Sequence, residues 1–84
     1  MTKNKNKVVL VTGTSSDLGM AVVHKFNELN YKVYALSRTS VHFTDKRIVN
    51  KSLDLTNEAN CKKVIEEIYA KERRIDVLVN LAGS

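Results

Sequence analysis

Residues 8–19 read VVLVTGTSSDLG, and this stretch decides the fold. Its first part, Val8–Thr12, is a short apolar run rich in β-branched residues, which is typical of a strand buried on both faces of a sheet. Gly13 interrupts the run, and glycine permits a tight turn that other residues resist. From Leu18 onward the apolar positions recur three and four residues apart, which is helical spacing. The stretch therefore predicts a strand, a tight turn and an amphipathic helix.

The rest of the chain continues this alternation of strands and helices. Asp17 is the predicted N-cap of the first helix, and Asn30 is predicted to end it in a left-handed turn. For the second helix the predicted N-cap is Thr56. The further elements predicted by composition and periodicity are a strand at Lys32–Ser37, a strand at Ile48–Leu53, a helix at about Asn57–Arg73 and a strand at Ile75–Leu81.

The resulting order, βαββαβ, predicts an α/β fold with a parallel sheet. Right-handed crossovers restrict how the helices can lie, which predicts three layers in a Rossmann-like sandwich. With the strand order 3-2-1-4 found in the first half of a dinucleotide-binding fold, the sheet would be part of a doubly wound one. A crevice is expected between strands one and four, where the chain reverses direction across the sheet. The segment between strands two and three has no helical periodicity, so we expect one patch of the sheet to be poorly covered.

Composition places the chain among globular proteins. It has 84 residues, 43% hydrophobic and 27% charged, which suits one domain over residues 1–84. No apolar stretch has transmembrane length and the start lacks the pattern of a secretory signal, so a soluble cytoplasmic protein without a membrane partner is expected. The net charge is +5, but the basic residues are scattered, which argues against nucleic-acid binding.

The turn after the first strand is the strongest candidate site. Backbone amides around Gly13 and the N-terminus of the following helix form a surface suited to a phosphate group. The alternative is a turn that packs without binding any ligand. Four motifs in order favour the first interpretation: V-T-G-T-S-S-D-L-G, S-R after strand two, D-L after strand three and N-L-A-G after strand four.

In these four motifs the chain resembles the N-terminal portion of the short-chain dehydrogenase/reductase family, and the resemblance covers essentially its whole length. The resemblance implies an oxidoreductase that transfers hydride between a nicotinamide cofactor and a carbonyl or alcohol. It implies that Gly13, Thr14, Ser15, Ser16 and Leu18 line the pyrophosphate and adenosine ribose. It also implies that Asp54 and Leu55 flank the adenine, and that Asn80, Ala82 and Gly83 lie beside the nicotinamide-side ribose.

The residues at the end of strand two set the expected cofactor. An acidic residue there would bond the ribose 2′-hydroxyl of NAD, whereas this chain has Ser37 and Arg38, and an arginine favours the 2′-phosphate of NADP. NADP is therefore expected and NAD disfavoured; the alternative is that Arg38 is a surface arginine without a role. Asp17 departs from the family's glycine at its position and places a negative charge near the pyrophosphate.

The family's catalytic residues, a serine and a Tyr-x-x-x-Lys pair, lie beyond the matched segment. None of the tyrosines here has a lysine four residues later, so we predict no catalytic residue in the chain and assign its tyrosines to packing. The tyrosines are Tyr31, Tyr34 and Tyr69. Cys61 is predicted to be a buried, inert thiol, and His24 and His42 are predicted to be solvated, with no metal site.

A different hypothesis is a non-catalytic interaction module that uses the sheet edge. Strand Ile75–Leu81 is apolar and lacks the lysine, proline or bulge that protects natural edges. It is predicted to pair with a second copy, which would make the protein a homo-oligomer.

Overall fold

The computed structural model describes residues 6–14 and 16–81. Within them the elements are β1 (Val8–Thr12), α1 (Asp17–Glu28), β2 (Lys32–Ser37), β3 (Ile48–Ser52), α2 (Glu58–Glu72) and β4 (Val77–Asn80). The βαββαβ order is as predicted. The predicted third and fourth strands were too long, since β3 ends one residue early and β4 occupies four of the seven positions assigned to it.

The strands form one parallel sheet in the order β3-β2-β1-β4, which confirms the predicted topology. β1 is central, with β2 on one side and β4 on the other. The chain therefore leaves β1 in one direction and reaches β4 in the other, so the sheet has its topological switch point between β1 and β4.

Alternate residues of β1 face opposite layers, as the period of a strand requires. Val9 and Val11 pack in a cluster that includes Val23 of α1, whereas Val8 and Leu10 pack in a second cluster with α2. The second cluster contains Ile68, the fully covered residue of α2, and Tyr34. The predicted three-layer arrangement is thus confirmed.

Both predicted helix caps were wrong by one residue. Ser16 rather than Asp17 caps α1, because its side chain accepts a hydrogen bond from the Gly19 amide at 3.0 Å. Asn57 rather than Thr56 caps α2 by accepting from the Asn60 amide. In each helix two neighbouring residues had suitable side chains, and the backbone conformation decided between them.

The C-terminal end of α1 follows the prediction. Asn30 has φ 70°, the left-handed conformation expected of it after the helix. The expectation of a poorly covered sheet patch holds only in part: β3 beyond Ile48 is half-buried or exposed, but the start of the strand is covered. Phe43, from the segment between β2 and β3, packs against the cluster that contains Ala35 and Ile48, and both of these residues are buried. The aromatic side chain of Phe43 thus covers part of the sheet face beside the segment that has no helix.

The tyrosine prediction holds for two of the three side chains. Tyr34 is fully buried and donates a hydrogen bond to Glu72, while Tyr31 packs edge-on against Phe26 with ring centroids 4.9 Å apart. Burial and the neighbouring carboxylate raise the pKa of Tyr34 well above its usual range. Tyr69 is 54% exposed, so its assignment to packing was wrong.

Candidate functional site

The predicted site residues lie where parallel strands end at one edge of the sheet. Gly13 follows β1, Arg38 follows β2, Asp54 lies two residues after β3, and Asn80 ends β4. Carboxyl ends of parallel strands meet at the same edge, and ligands of open α/β sheets bind there, beside the switch point. The described residues of the four sequence motifs are therefore assembled on one side of the molecule.

The glycine turn is held tightly between the sheet and α1. Gly13 has φ 76°, and its amide donates to the Leu36 carbonyl at 3.0 Å, so the turn is tied to β2. A Cβ atom on Gly19 would lie 2.4 Å from the Gly13 carbonyl oxygen and 2.7 Å from the Thr14 Cα. Only a residue without a side chain permits this approach of helix to turn. Gly19 was missed as a site residue, although its place in the motif was a usable signal.

The N-terminus of α1 points its first-turn amides at this edge. Ser16 Oγ accepts from the Gly19 amide, whereas the amides of Asp17 and Leu18 have no acceptor inside the helix because they belong to its first turn. Leu18 is 62% exposed. Asp17 is also exposed, and its charge stabilises the positive end of the helix although it is not the cap.

Thr14 is the most deeply buried polar residue of the turn. It has no exposed surface, and its Oγ1 has no hydrogen-bond partner among the described residues. A buried hydroxyl without a hydrogen bond lowers the stability of the fold, so a partner outside the described residues would stabilise Thr14. Ser15, Ala82 and Gly83, which the resemblance also assigned to the site, lie outside the described residues.

Arg38 and Asp54 meet across the ends of β2 and β3. Arg38 Nη2 lies 3.4 Å from Asp54 Oδ1, and both side chains are largely exposed. The Thr56 hydroxyl and amide donate to Asp54 and, with a smaller effect from Arg38, lower the pKa of its carboxyl group. Ser37 is buried, and its hydroxyl donates to the Thr39 carbonyl, so it presents neither a charge nor an exposed side chain to the site.

The ends of β1 and β4 are joined by side chains. Thr12 Oγ1 donates to Asn80 Oδ1 at 2.7 Å and accepts from the Leu81 amide at 3.2 Å. Beside them a cavity of about 220 Å³ is lined by Thr12, Leu55, Cys61, Ile65, Leu78 and Asn80. Cys61 is therefore half-buried at a cavity wall, and the prediction that it is buried in the core was wrong. Thr12 was missed as a site residue, since its role depends on the pairing of β1 with β4.

At the opposite edge, Asp76 fastens β4 to β1. Its Oδ2 accepts from the Val8 amide at 2.7 Å, and both carboxylate oxygens accept from Arg74 at 2.9 and 2.7 Å. The bonds from Arg74, and then that from Val8, lower the pKa of Asp76. Sequence reasoning missed this residue. An acidic residue directly before an apolar strand was the available signal.

Other expectations concern residues away from the site. His24 and His42 are exposed, as predicted. Over residues 6–14 and 16–81, no three His, Cys, Asp or Glu side chains lie close enough together to hold a metal ion. In the same part of the chain neither helix has the length and apolar character needed to cross a membrane.

Comparison with known proteins agrees with this architecture. Residues 7–84 match the short chain dehydrogenase family. The chain is 38% identical to glucose and ribitol dehydrogenase homolog 2 of Arabidopsis thaliana, over 96% of this chain and 34% of that protein. It is 32% identical to an NADP-dependent 3-hydroxy acid dehydrogenase of Salmonella typhi, over 90% of this chain and 33% of that protein.

Solved structures give the same result. A short chain dehydrogenase from Leptospira borgpetersenii with bound NAD⁺ superposes with a TM-score of 0.83 and 26% identity, over 96% of this chain and 33% of that one. The chain spans about a third of the length of the curated relatives it matches. With an α/β sheet, a glycine turn and a family match over nearly all its length, this chain belongs to the short-chain dehydrogenase/reductase family.

Proposed function

We propose that this chain binds the adenosine and pyrophosphate portions of NADP within an oxidoreductase that transfers hydride between NADP(H) and a carbonyl or alcohol. The observation that carries the proposal is the close approach of α1 to the turn at Gly13, which only Gly19 permits. The Thr14 hydroxyl, which has no partner among the described residues, and the first-turn amides of α1, which have no acceptor within the helix, lie at the same place. These residues fit a dinucleotide phosphate, which needs backbone donors and close approach.

Each part of the site has a distinct task in this proposal. The amides of Asp17 and Leu18 would donate to the pyrophosphate, and Leu55 would contact the adenine. Asn80, held by Thr12, would orient the ribose on the nicotinamide side. The nicotinamide of the bound cofactor supplies or accepts the hydride. Ala82 and Gly83 keep the ribose-side role that the resemblance implies for them.

The preference for NADP rests on Arg38. Its guanidinium is exposed at the end of β2, where the 2′-substituent of the adenosine ribose is expected. Ser37 offers no carboxylate to bond a 2′-hydroxyl or to repel a phosphate. The Salmonella relative is NADP-dependent and the Leptospira structure holds NAD⁺, so relatives of both kinds exist, and the proposed preference is supported by Arg38 and Ser37 alone.

Calorimetric titration of the 84-residue chain with NADP and NAD tests this proposal. NADP should bind more tightly, and Arg38→Ala should reduce the NADP-to-NAD affinity ratio about threefold or more. Lys63→Ala, on the exposed face of α2, removes the same charge away from the site and should leave the ratio unchanged. Equal affinities for the two cofactors in the unmodified chain would contradict the preference.

Catalysis by the chain itself is not expected. Positioning a cofactor without an acid/base group and without the walls of a substrate site leaves the chemical step unassisted. Purified chain should therefore show no carbonyl reduction above the buffer blank. Turnover that co-purifies with the 84-residue chain and is lost in the Gly19→Ala variant would overturn this expectation.

A second proposal concerns assembly and is favoured by the exposed side of β4. β4 pairs with β1, and no other strand of the described residues pairs with it, while Leu78 is 58% exposed. Two copies related by a twofold axis beside Ile75–Leu81 would join their sheets antiparallel and cover this apolar surface. As an interaction module, the chain would use this edge whether or not it binds nucleotide.

Light scattering at micromolar concentration tests the assembly. A dimer or larger species is expected, and Leu78→Lys should shift it toward monomer. Leu29→Lys changes another exposed leucine, at the end of α1, and should have no such effect. A stable monomer, or a dimer unaffected by Leu78→Lys, would contradict the mechanism. The cytoplasmic location stays a prediction from the sequence.

A further inference from the structure

The ion pair between Arg38 and Asp54 sits where the proposed 2′-phosphate would bind. The two groups are 3.4 Å apart, with 74% of the Arg38 side chain and 53% of the Asp54 side chain exposed. Asp54 is the better anchored of the two. Its Oδ1 accepts from the Thr56 amide at 2.9 Å and from the Thr56 hydroxyl at 2.6 Å. The carboxylate is thus fixed, whereas the long arginine side chain has one weak contact with it.

The backbone at the base of Arg38 is also fixed. The Ser52 hydroxyl donates to the Arg38 carbonyl at 2.9 Å, and the Leu53 amide donates to the Ser37 carbonyl at 2.9 Å. These bonds hold the end of β2 against β3. The guanidinium can therefore change partners by rotation of its side chain, without any movement of the backbone that carries it.

We infer that Asp54 restrains the preference for NADP by competing with the 2′-phosphate for Arg38. This inference rests on the proposed function and adds a residue that sets cofactor specificity. While the pair is formed, the Asp54 carboxylate offsets part of the positive charge of Arg38, so the attraction of Arg38 for a phosphate is weaker. A phosphate must draw the guanidinium away from Asp54 or share it, with Asp54 as a nearby like charge.

Two features of the site make the competition specific to the 2′-phosphate. Asp54 carries its negative charge at neutral pH, and the hydrogen bonds from Thr56 lower the pKa of its carboxyl group further. Any contact that Asp54 or Leu55 makes with the adenine is common to NAD and NADP, so it cancels in the ratio of their affinities. The ratio therefore isolates the effect that passes through Arg38.

The experiment compares 2′,5′-ADP with 5′-AMP, two probes that differ by the 2′-phosphate and need neither the pyrophosphate nor the nicotinamide portion of the site. Titrations are followed by NMR at low ionic strength, where exposed charges are least screened. Asp54→Asn should raise the 2′,5′-ADP-to-5′-AMP affinity ratio about two- to fivefold, the range expected for an exposed ion pair. Glu66→Gln removes the same charge from the exposed face of α2 and should leave the ratio unchanged.

The double variant identifies the route of the effect. In an Arg38→Ala background, Asp54→Asn should raise the ratio much less, since there is no guanidinium to release. An unchanged or lower ratio in Asp54→Asn, or an equal rise in both backgrounds, would overturn the inference. Absence of measurable 2′,5′-ADP binding would also overturn it. If instead NAD and NADP bind while the probe ratio does not respond to Asp54→Asn, the inference fails and the dinucleotide proposal stands.

Discussion

Replacing Gly19 with alanine inserts a methyl group into space that the turn before α1 already occupies. Helix propensity by itself favours the change, because alanine in a helix is more stable than glycine by about 1 kcal/mol. The tertiary contact opposes it. The new Cβ would lie 2.4 Å from the Gly13 oxygen and 2.7 Å from the Thr14 Cα. The two effects therefore predict opposite signs for the change in stability.

The contact should prevail, since both obstructing atoms belong to the backbone and cannot rotate away. Overpacking of this kind costs about 1–3 kcal/mol, and the upper part of that range applies where backbone must move. After the gain in propensity is subtracted, the free energy of unfolding should fall by about 1–2 kcal/mol. For a domain of this size that corresponds to a Tm lower by about 4–16 °C.

Thermal unfolding followed by circular dichroism measures the change, and NADP titration measures its effect on the site. Ala21→Gly, at an exposed position of the same helix, reports helix propensity without the contact and should lower the Tm by a few degrees. NADP binding should be weakened by Gly19→Ala and retained in Ala21→Gly. An unchanged or higher Tm in Gly19→Ala would refute the reasoning, because helix propensity would then outweigh the steric contact with the turn.

Three further predictions concern charges and caps. Asp76→Asn should lower the free energy of unfolding, measured in urea, by about 1 kcal/mol, because Val8 and Arg74 would no longer donate to a charged carboxylate. Because those bonds lower the pKa of Asp76 in the folded state, the stabilisation by Asp76 is present above its unfolded-state pKa and is lost as pH falls through its folded-state pKa. The free energy of unfolding should therefore depend less on pH in Asp76→Asn between about pH 5 and pH 2. An equal pH dependence in the two proteins would contradict this. Ser16→Ala should cost about 1 kcal/mol through loss of the α1 cap, and no change in Tm would show that the cap contributes nothing. Asp17→Asn should strengthen NADP binding about twofold at physiological ionic strength by removing a charge near the pyrophosphate, and weaker binding would contradict that placement.

Local sequence determined the elements, and the order of the elements restricted the topology. The apolar run Val8–Thr12 predicted a strand, because a strand buried on both faces is apolar at successive positions. The apolar spacing after Leu18 predicted a helix, because a helix buried along one stripe is apolar every three or four residues. Strand alternation with helices then restricted the sheet to parallel order with right-handed crossovers, and the observed order agrees. The turn at Gly13 was predictable because a positive φ is a local property of the backbone that glycine adopts readily.

Tertiary structure decided the contacts between residues distant in sequence. The bond from Thr12 to Asn80 joins residues 68 positions apart, and the pairing of β1 with β4 brings them together. The need for glycine at position 19 follows from how closely α1 approaches the turn, and neighbouring residues in sequence do not set that distance. Arg38 meets Asp54 because β2 and β3 end side by side. Sequence periodicity reports which face of an element is buried, whereas the partner at each position depends on how the elements pack.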